Sequence, residues 1–232
     1  MRISEKIYLE LQKDILQGKY RPNSRFPSER ELAVTYDSSR SAVREAMAKL
    51  SQAGLVKTVP QSGTYVTDYP AEASLDLLIQ IMKATEAIDT DILISLLKYR
   101  RMAEPYIARE AALKASAKDV KSLKSAGDKL IDQLENDAGD IMGAIDLDFA
   151  FHLEVARATR NLIFQLLFNS FKPIYQFCAD AYYQSPGTPG VTIDFVKNLT
   201  AAIEDGDGER AYAVMMEAVI FAEHQLQPLT VP

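Results

Sequence analysis

The stretch from Phe26 to Val66 constrains this chain most, because it spells two short helices, a tight turn and a β-hairpin in close succession. Phe26-Pro27-Ser28-Glu29-Arg30-Glu31-Leu32-Ala33 starts the first helix: Ser28 can cap it, and Glu31 stands where a capping box needs a carboxylate. Tyr36-Asp37-Ser38-Ser39 interrupts it with turn-forming residues, and Ser41-Ala42-Val43-Arg44-Glu45-Ala46-Met47-Ala48-Lys49-Leu50 begins the second helix. Helical spacing turns Val43, Met47 and Leu50 inward and leaves Arg40, Ser41 and Arg44 on the outer N-terminal surface. Gly54 then stops the helix. Leu55 to Val59 has strand composition, Pro60-Gln61-Ser62-Gly63 is a turn, and Thr64-Tyr65-Val66 returns as a second strand. This is the pattern of a winged helix-turn-helix, whose second helix enters the major groove of duplex DNA.

The side chains suit that use. Arginine forks onto guanine acceptors or a phosphate, so Arg30, Arg40 and Arg44 are the expected DNA contacts, while Ser39 and Ser41 are short enough to allow close approach. Gln61, Ser62, Gly63 and Thr64 at the wing tip add backbone amides and small polar groups. Any one of these arginines alone reads equally well as a solvated helix face; three in one motif are harder to read so. The net charge of -6 looks wrong for a DNA binder until it is divided. Residues 1–66 carry 11 Lys+Arg against 7 Asp+Glu (+4), and the remainder 15 against 25 (-10). The basic end is the DNA end, as phosphate neutralisation requires.

These residues resemble the reader domain of the GntR superfamily, whose signature runs P-S-E-R-E-L-A, S-R-x-x-V-R-E-A, a G-L-V strand and an S-G-T-Y-V wing. The resemblance covers about the first 66 residues. It implies that Arg30, Arg40 and Arg44 hold an operator, with Ser39, Ser41 and the wing tip assisting. Most such proteins carry a basic residue early in the wing, where this chain has Val59-Pro60. The helix is therefore expected to read more than the wing does.

A chain of 232 residues with 47% hydrophobic side chains can fill two cores. The expected division is a winged helix-turn-helix at 1–69 and an all-helical ligand-sensing and dimerisation domain at 70–232, with Asp68-Tyr69-Pro70-Ala71 as the linker. Cys178 is the single cysteine, which excludes an intrachain disulfide and a cysteine-built zinc site. No apolar run approaches the roughly 20 residues a membrane helix needs. The amphipathic Glu5-Lys6-Ile7-Tyr8-Leu9-Glu10 lacks the apolar core of a signal peptide. The expectation is a cytoplasmic protein without a membrane partner.

Beyond Ala73 helical periodicity dominates, in blocks near 73–84, 89–114, 117–136, 139–159, 161–184 and 191–226, the last broken around Asp205-Gly206-Asp207. Short polar loops between them suggest an antiparallel bundle, so the fold class is mostly α with a small β-hairpin wing. Arg100-Arg101-Met102-Ala103-Glu104-Pro105, Asp148-Phe149-Ala150-Phe151-His152 ahead of Asn161, and Ala202 to Ala211 together resemble the helical effector domain of the FadR subfamily. Many of its members hold a divalent metal through one Asp and three His, and use it to bind a small carboxylate. Asp148 and His152 match the first two positions, but Val196 and Ala218 occupy the others, and the only further histidine, His224, lies six residues beyond its expected place. The reading is therefore no metal and no cofactor, with His152 a hydrogen-bonded pocket residue.

Without a metal, protein groups must hold the ligand. The subfamily's fatty-acid regulator has a metal-free pocket for acyl-CoA, and Asp180-Ala181-Tyr182-Tyr183-Gln184-Ser185-Pro186 resembles its Tyr-aromatic-x-x-Pro segment. Arg100, Asp148, His152 and Tyr182 are the expected effector-binding set, Arg100 supplying a fork and Tyr182 a ring with a hydroxyl. A plainer reading pairs Arg100 with Glu104 at i, i+4 and makes Tyr182 and Tyr183 interhelical packing residues.

The resulting expectation is a homodimeric regulator of a palindromic operator, responsive to a metabolite such as an acyl-CoA or an organic acid. Two alternatives stand beside it: a metal-dependent small-carboxylate sensor, and a ligand-free constitutive repressor, which a bundle with no cavity would favour. Catalysis is not expected, since no nucleophile elbow, phosphate loop or paired-acid arrangement is present.

Overall fold

The computed structural model describes residues 2–68, 77–79, 90–137 and 139–226. Two compact units divide the chain, Met1–Ile88 and Asp89–Pro232. The linker expected at 68–71 falls outside the described residues except for Asp68, and so does the helix block at 73–84 apart from 77–79.

In the first unit, helix α1 (Ile3–Leu16) buries Ile7, Leu11 and Ile15, four residues apart and each fully enclosed. It packs on α3 (Arg40–Gln52), where Val43, Ala46 and Leu50 are equally enclosed, and Lys49 ties the two helices by an ion pair to Glu5. Helix α2 (Glu29–Thr35) begins with the expected capping box: the Glu31 amide donates to Ser28 Oγ and the Ser28 amide to Glu31 Oε2. The strands β1 (Val56–Val59) and β2 (Gly63–Val66) pair antiparallel, with Val56 opposite Val66. Gly54, at φ 74°, makes the left-handed turn from α3 into β1. The segment before α2 joins this hairpin, with the Phe26 amide donating to the Thr64 carbonyl at 2.8 Å.

The second unit is helical throughout its described residues: α4 (Thr90–Lys114), α5 (Ala117–Asn136), α6 (Ile141–Ala158), α7 (Leu162–Ser170), α8 (Lys172–Tyr183), α9 (Thr188–Glu204) and α10 (Gly208–Leu226). Its core centres on Leu123, Leu130, Ile145, Phe151 and Leu199, all fully enclosed. Helices α5 and α9 approach closely at Gly127, where a Cβ would stand 2.8 Å from Val196 Cγ1. The sequence block 161–184 proves to be two helices. Phe171 separates them because Pro173 has no amide to give the Asn169 carbonyl, and its ring crowds that oxygen. The break around 205–207 is as expected, with Gly206 at φ 69°.

Candidate functional site

The candidate DNA-reading face is built by the start of α3. Ser39 caps that helix, its Oγ accepting from the Ala42 amide at 3.2 Å, so it fixes the direction in which the first turn points. Arg40, Ser41 and Arg44 are exposed beyond it, and Arg30 is exposed on α2. Arg44 Nε and Nη2 both donate to Glu29 Oε2 at 3.3 Å. That pair is largely solvated, with side-chain exposures of 73% and 40%, and such pairs contribute only ~0.2–1 kcal/mol, little enough for a phosphate or guanine to displace Glu29. Arg30 and Arg40 make no ion pair among the described residues.

At the wing tip Gln61, at φ 63°, and Gly63, at φ 125°, turn the chain, and Ser62 Oγ shares a 2.7 Å hydrogen bond with the Tyr65 hydroxyl. Thr64 Oγ1 bonds Thr58 Oγ1 at 3.2 Å across the hairpin. One basic residue here was not foreseen: Arg25, exposed, lies over Gly63, where a Cβ would meet its Nε at 3.2 Å. It brings to the wing the positive charge that Val59-Pro60 lacks. The sequence signal was its place two residues before Pro27, on a segment whose pairing with β2 no local pattern announces.

In the helical unit Asp148, His152 and Arg100 line one small polar pocket of about 60 Å³ together with Glu104, Tyr175 and Tyr182. Arg100 is held by Glu104 on its own helix, Nε to Oε1 at 2.6 Å and Nη2 to Oε2 at 3.3 Å. Burial opposes its charge, but Glu104's charge and hydrogen bonds outweigh burial and hold the guanidinium's pKa above its usual value. The Tyr175 hydroxyl donates to Asp148 Oδ2 at 2.8 Å, and burial, then Asp148, pushes that hydroxyl's pKa well up, so it stays a donor. Among the described residues Asp148 Oδ1 is buried without a hydrogen-bond partner, and it lies 3.6 Å from His152 Nε2. The His152 ring is stacked between Phe168 and Phe195, a packing position. Tyr182 shares a 3.1 Å hydrogen bond with Thr192, and burial raises its hydroxyl to about 12.

The donor set does not fit a divalent metal. Val196 is sealed in the core, Ala218 lines the pocket with a methyl group, and His224 is exposed. Among the described residues no three His, Cys, Asp or Glu side chains converge as a metal would need.

A larger space adjoins that pocket. A cavity of about 480 Å³ lies between α4, α7 and α8, lined by Leu96, Tyr99, Ile107, Phe164, Leu167 and Ile174 among others. Arg100, Glu104, Tyr175 and Cys178 face both spaces. Sequence reasoning found Arg100 in this wall and named Glu104 as its i, i+4 partner, but missed Tyr175 and Cys178, which stand two turns and one turn before Tyr182 on the same helix.

Comparisons with known proteins agree with this architecture. Residues 3–66 match the model of bacterial regulatory proteins of the gntR family, and residues 95–220 match the FCD domain. The HTH-type transcriptional regulator Mce2R of Mycobacterium tuberculosis is 27% identical over 229 residues, covering 99% of this chain and 93% of that protein. The regulator LutR of Bacillus subtilis is 32% identical over 155 residues, 67% of each. The structure of the Listeria monocytogenes regulator Lar superposes with a TM-score of 0.63 at 17% identity, covering 98% of both chains. No helix among the described residues is long and apolar enough to cross a membrane. The chain belongs to the GntR family, in the branch that joins the winged helix-turn-helix to an FCD domain, and is a DNA-binding transcriptional regulator rather than an enzyme.

Proposed function

We propose that the protein acts in the cytoplasm as a homodimer that binds a short palindromic operator through α3 and the wing, and that a metabolite held in the FCD domain changes its affinity for DNA. The observation that carries the DNA half is the capped start of α3, which sets Arg40, Ser41 and Arg44 on one exposed surface with Arg30 on α2 nearby in sequence. A dimer would present that surface twice, and operator symmetry would mirror it. The 480 Å³ cavity supports the ligand half, since a constitutive repressor has no need of such a space. A ligand can alter operator affinity only by binding one conformation better than another, and couplings of this kind run to about 1–3 kcal/mol.

Anisotropy titration of a labelled palindromic duplex tests this reading. Two chains per duplex and an affinity that falls steeply with added salt are expected. A single chain per duplex at saturation would rule out the dimeric grip.

A further inference from the structure

The two spaces in the FCD domain differ in size in a way that limits what can bind. Ordinary ligand sites occupy ~300–1,000 Å³, so the 480 Å³ cavity has the size of a ligand site and the 60 Å³ polar pocket does not. At about 10–15 Å³ for each water, the polar pocket takes a few waters or one small polar group. A metabolite with any bulk must therefore put its body between α4, α7 and α8.

Charge limits the ligand further. Among the described residues Arg100 is the one cationic side chain lining the cavity, and Glu104 already occupies its Nε and Nη2. Glu104 is thus the acidic partner of Arg100 in this wall, while Asp148 lines the smaller pocket and takes the Tyr175 hydroxyl there. An added carboxylate would bring a further negative charge into a buried site, where an uncompensated charge costs several kcal/mol. The mouth is apolar as well: Met102 is 70% exposed, Tyr106 47% and Leu167 42%, and among the described residues no lysine or second arginine lines the cavity to meet phosphates. That chemistry disfavours a coenzyme A thioester.

We propose that this cavity binds an uncharged amphipathic molecule, its apolar body against Leu96, Ile107, Phe164 and Ile174 and its single hydroxyl or carbonyl oxygen accepting from Arg100 Nη1. The proposal rests on the effector reading above, and it names the ligand class. Such an oxygen meets the donors that Glu104 leaves over and adds no charge to the wall.

Calorimetry and thermal shift on the full chain with n-decanol, decanoate and decanoyl-coenzyme A test it. Decanol should bind and raise the melting temperature, with the two anionic probes at least about tenfold weaker. Ala103→Trp fills the cavity and should weaken decanol binding at least about tenfold without changing the melting transition of the free protein. Ala103→Leu, a smaller filler, should give a partial loss should the larger residue disturb folding. Thr192→Val, confined to the polar pocket, should leave decanol binding as it was. Tighter binding of decanoate or the thioester, no binding of any probe, or decanol binding indifferent to Ala103→Trp would overturn the proposal. So would a change of sedimenting mass from dimer to monomer in Ala103→Trp, which would make this face a contact between two copies of the chain. Operator affinity is read separately. Decanol that binds as stated yet leaves operator affinity unmoved would sink the effector reading and spare the cavity; a charged acid that releases DNA while decanol is inert would do the reverse.

Discussion

At the scale of single residues, Arg44 is the clearest case of a side chain with a partner that the proposed DNA contact would have to displace. Glu29 holds it at 3.3 Å in a solvated pair weak enough for a phosphate or a guanine edge to replace. Arg44→Ala should weaken specific operator binding by ~1–3 kcal/mol, measured by anisotropy, with unchanged circular dichroism. If Arg44 meets a phosphate rather than a base, the loss will be uniform across sequences and the salt dependence will shallow by about one ion. Arg25→Ala should also weaken binding, because its guanidinium lies over the wing at Gly63, and equal affinity would remove the wing from the account. Arg30, Arg40 and Arg44 were named from the chain because one sequence motif carries all three. Arg25 could not, since its position depends on a pairing with Tyr65 forty residues away. The polar wall behaves likewise: Arg100, Asp148 and His152 were legible as residues, but the fork of Arg100 is spent on Glu104 and the ring of His152 on two phenylalanines.

At the scale of elements, caps set the starts of α2, α3 and α5, and Pro173 marks the break between α7 and α8, while Pro105 is carried inside α4. Ser39→Ala should cost ~1 kcal/mol of stability in denaturant unfolding through its cap alone, apart from any loss of DNA contact. Two capping boxes carry a pH signature. The Ser28 amide, then its hydroxyl, lowers the Glu31 pKa, and the Ser116 hydroxyl, then its amide, lowers that of Asp119. Both carboxyls titrate lower folded than unfolded, so their contribution is complete above the ordinary carboxylate range and disappears as pH falls through the depressed values. Melting temperature should therefore decline on acidification, and less so in the Ser28→Ala Ser116→Ala double variant. The first box was legible in Ser28 and Glu31. The helix break at Phe171 was not, because unbroken apolar periodicity from 162 to 183 hides what Pro173 does to the backbone. Nor was the α5–α9 contact: Gly127→Val drives a branched side chain into Val196 and Phe151, and should destabilise by ~1–3 kcal/mol.

At the scale of the whole molecule, charge separates the two tasks. The -10 of the residues after 66 keeps that part from lying along a duplex, and the +4 before it draws that end to one. The helical class was readable from periodicity, whereas the cavity was not, because its lining residues come from three helices and no spacing in the chain marks them. The central claim is that the exposed start of α3 reads DNA sequence. In vitro selection from a random duplex library with the full chain addresses it most directly. The account predicts enrichment of a palindromic sequence by the wild-type chain and loss of that enrichment in Arg40→Ala and Arg44→Ala variants that remain folded. The same palindrome selected equally well by both variants, or none selected by the wild-type chain, would contradict it.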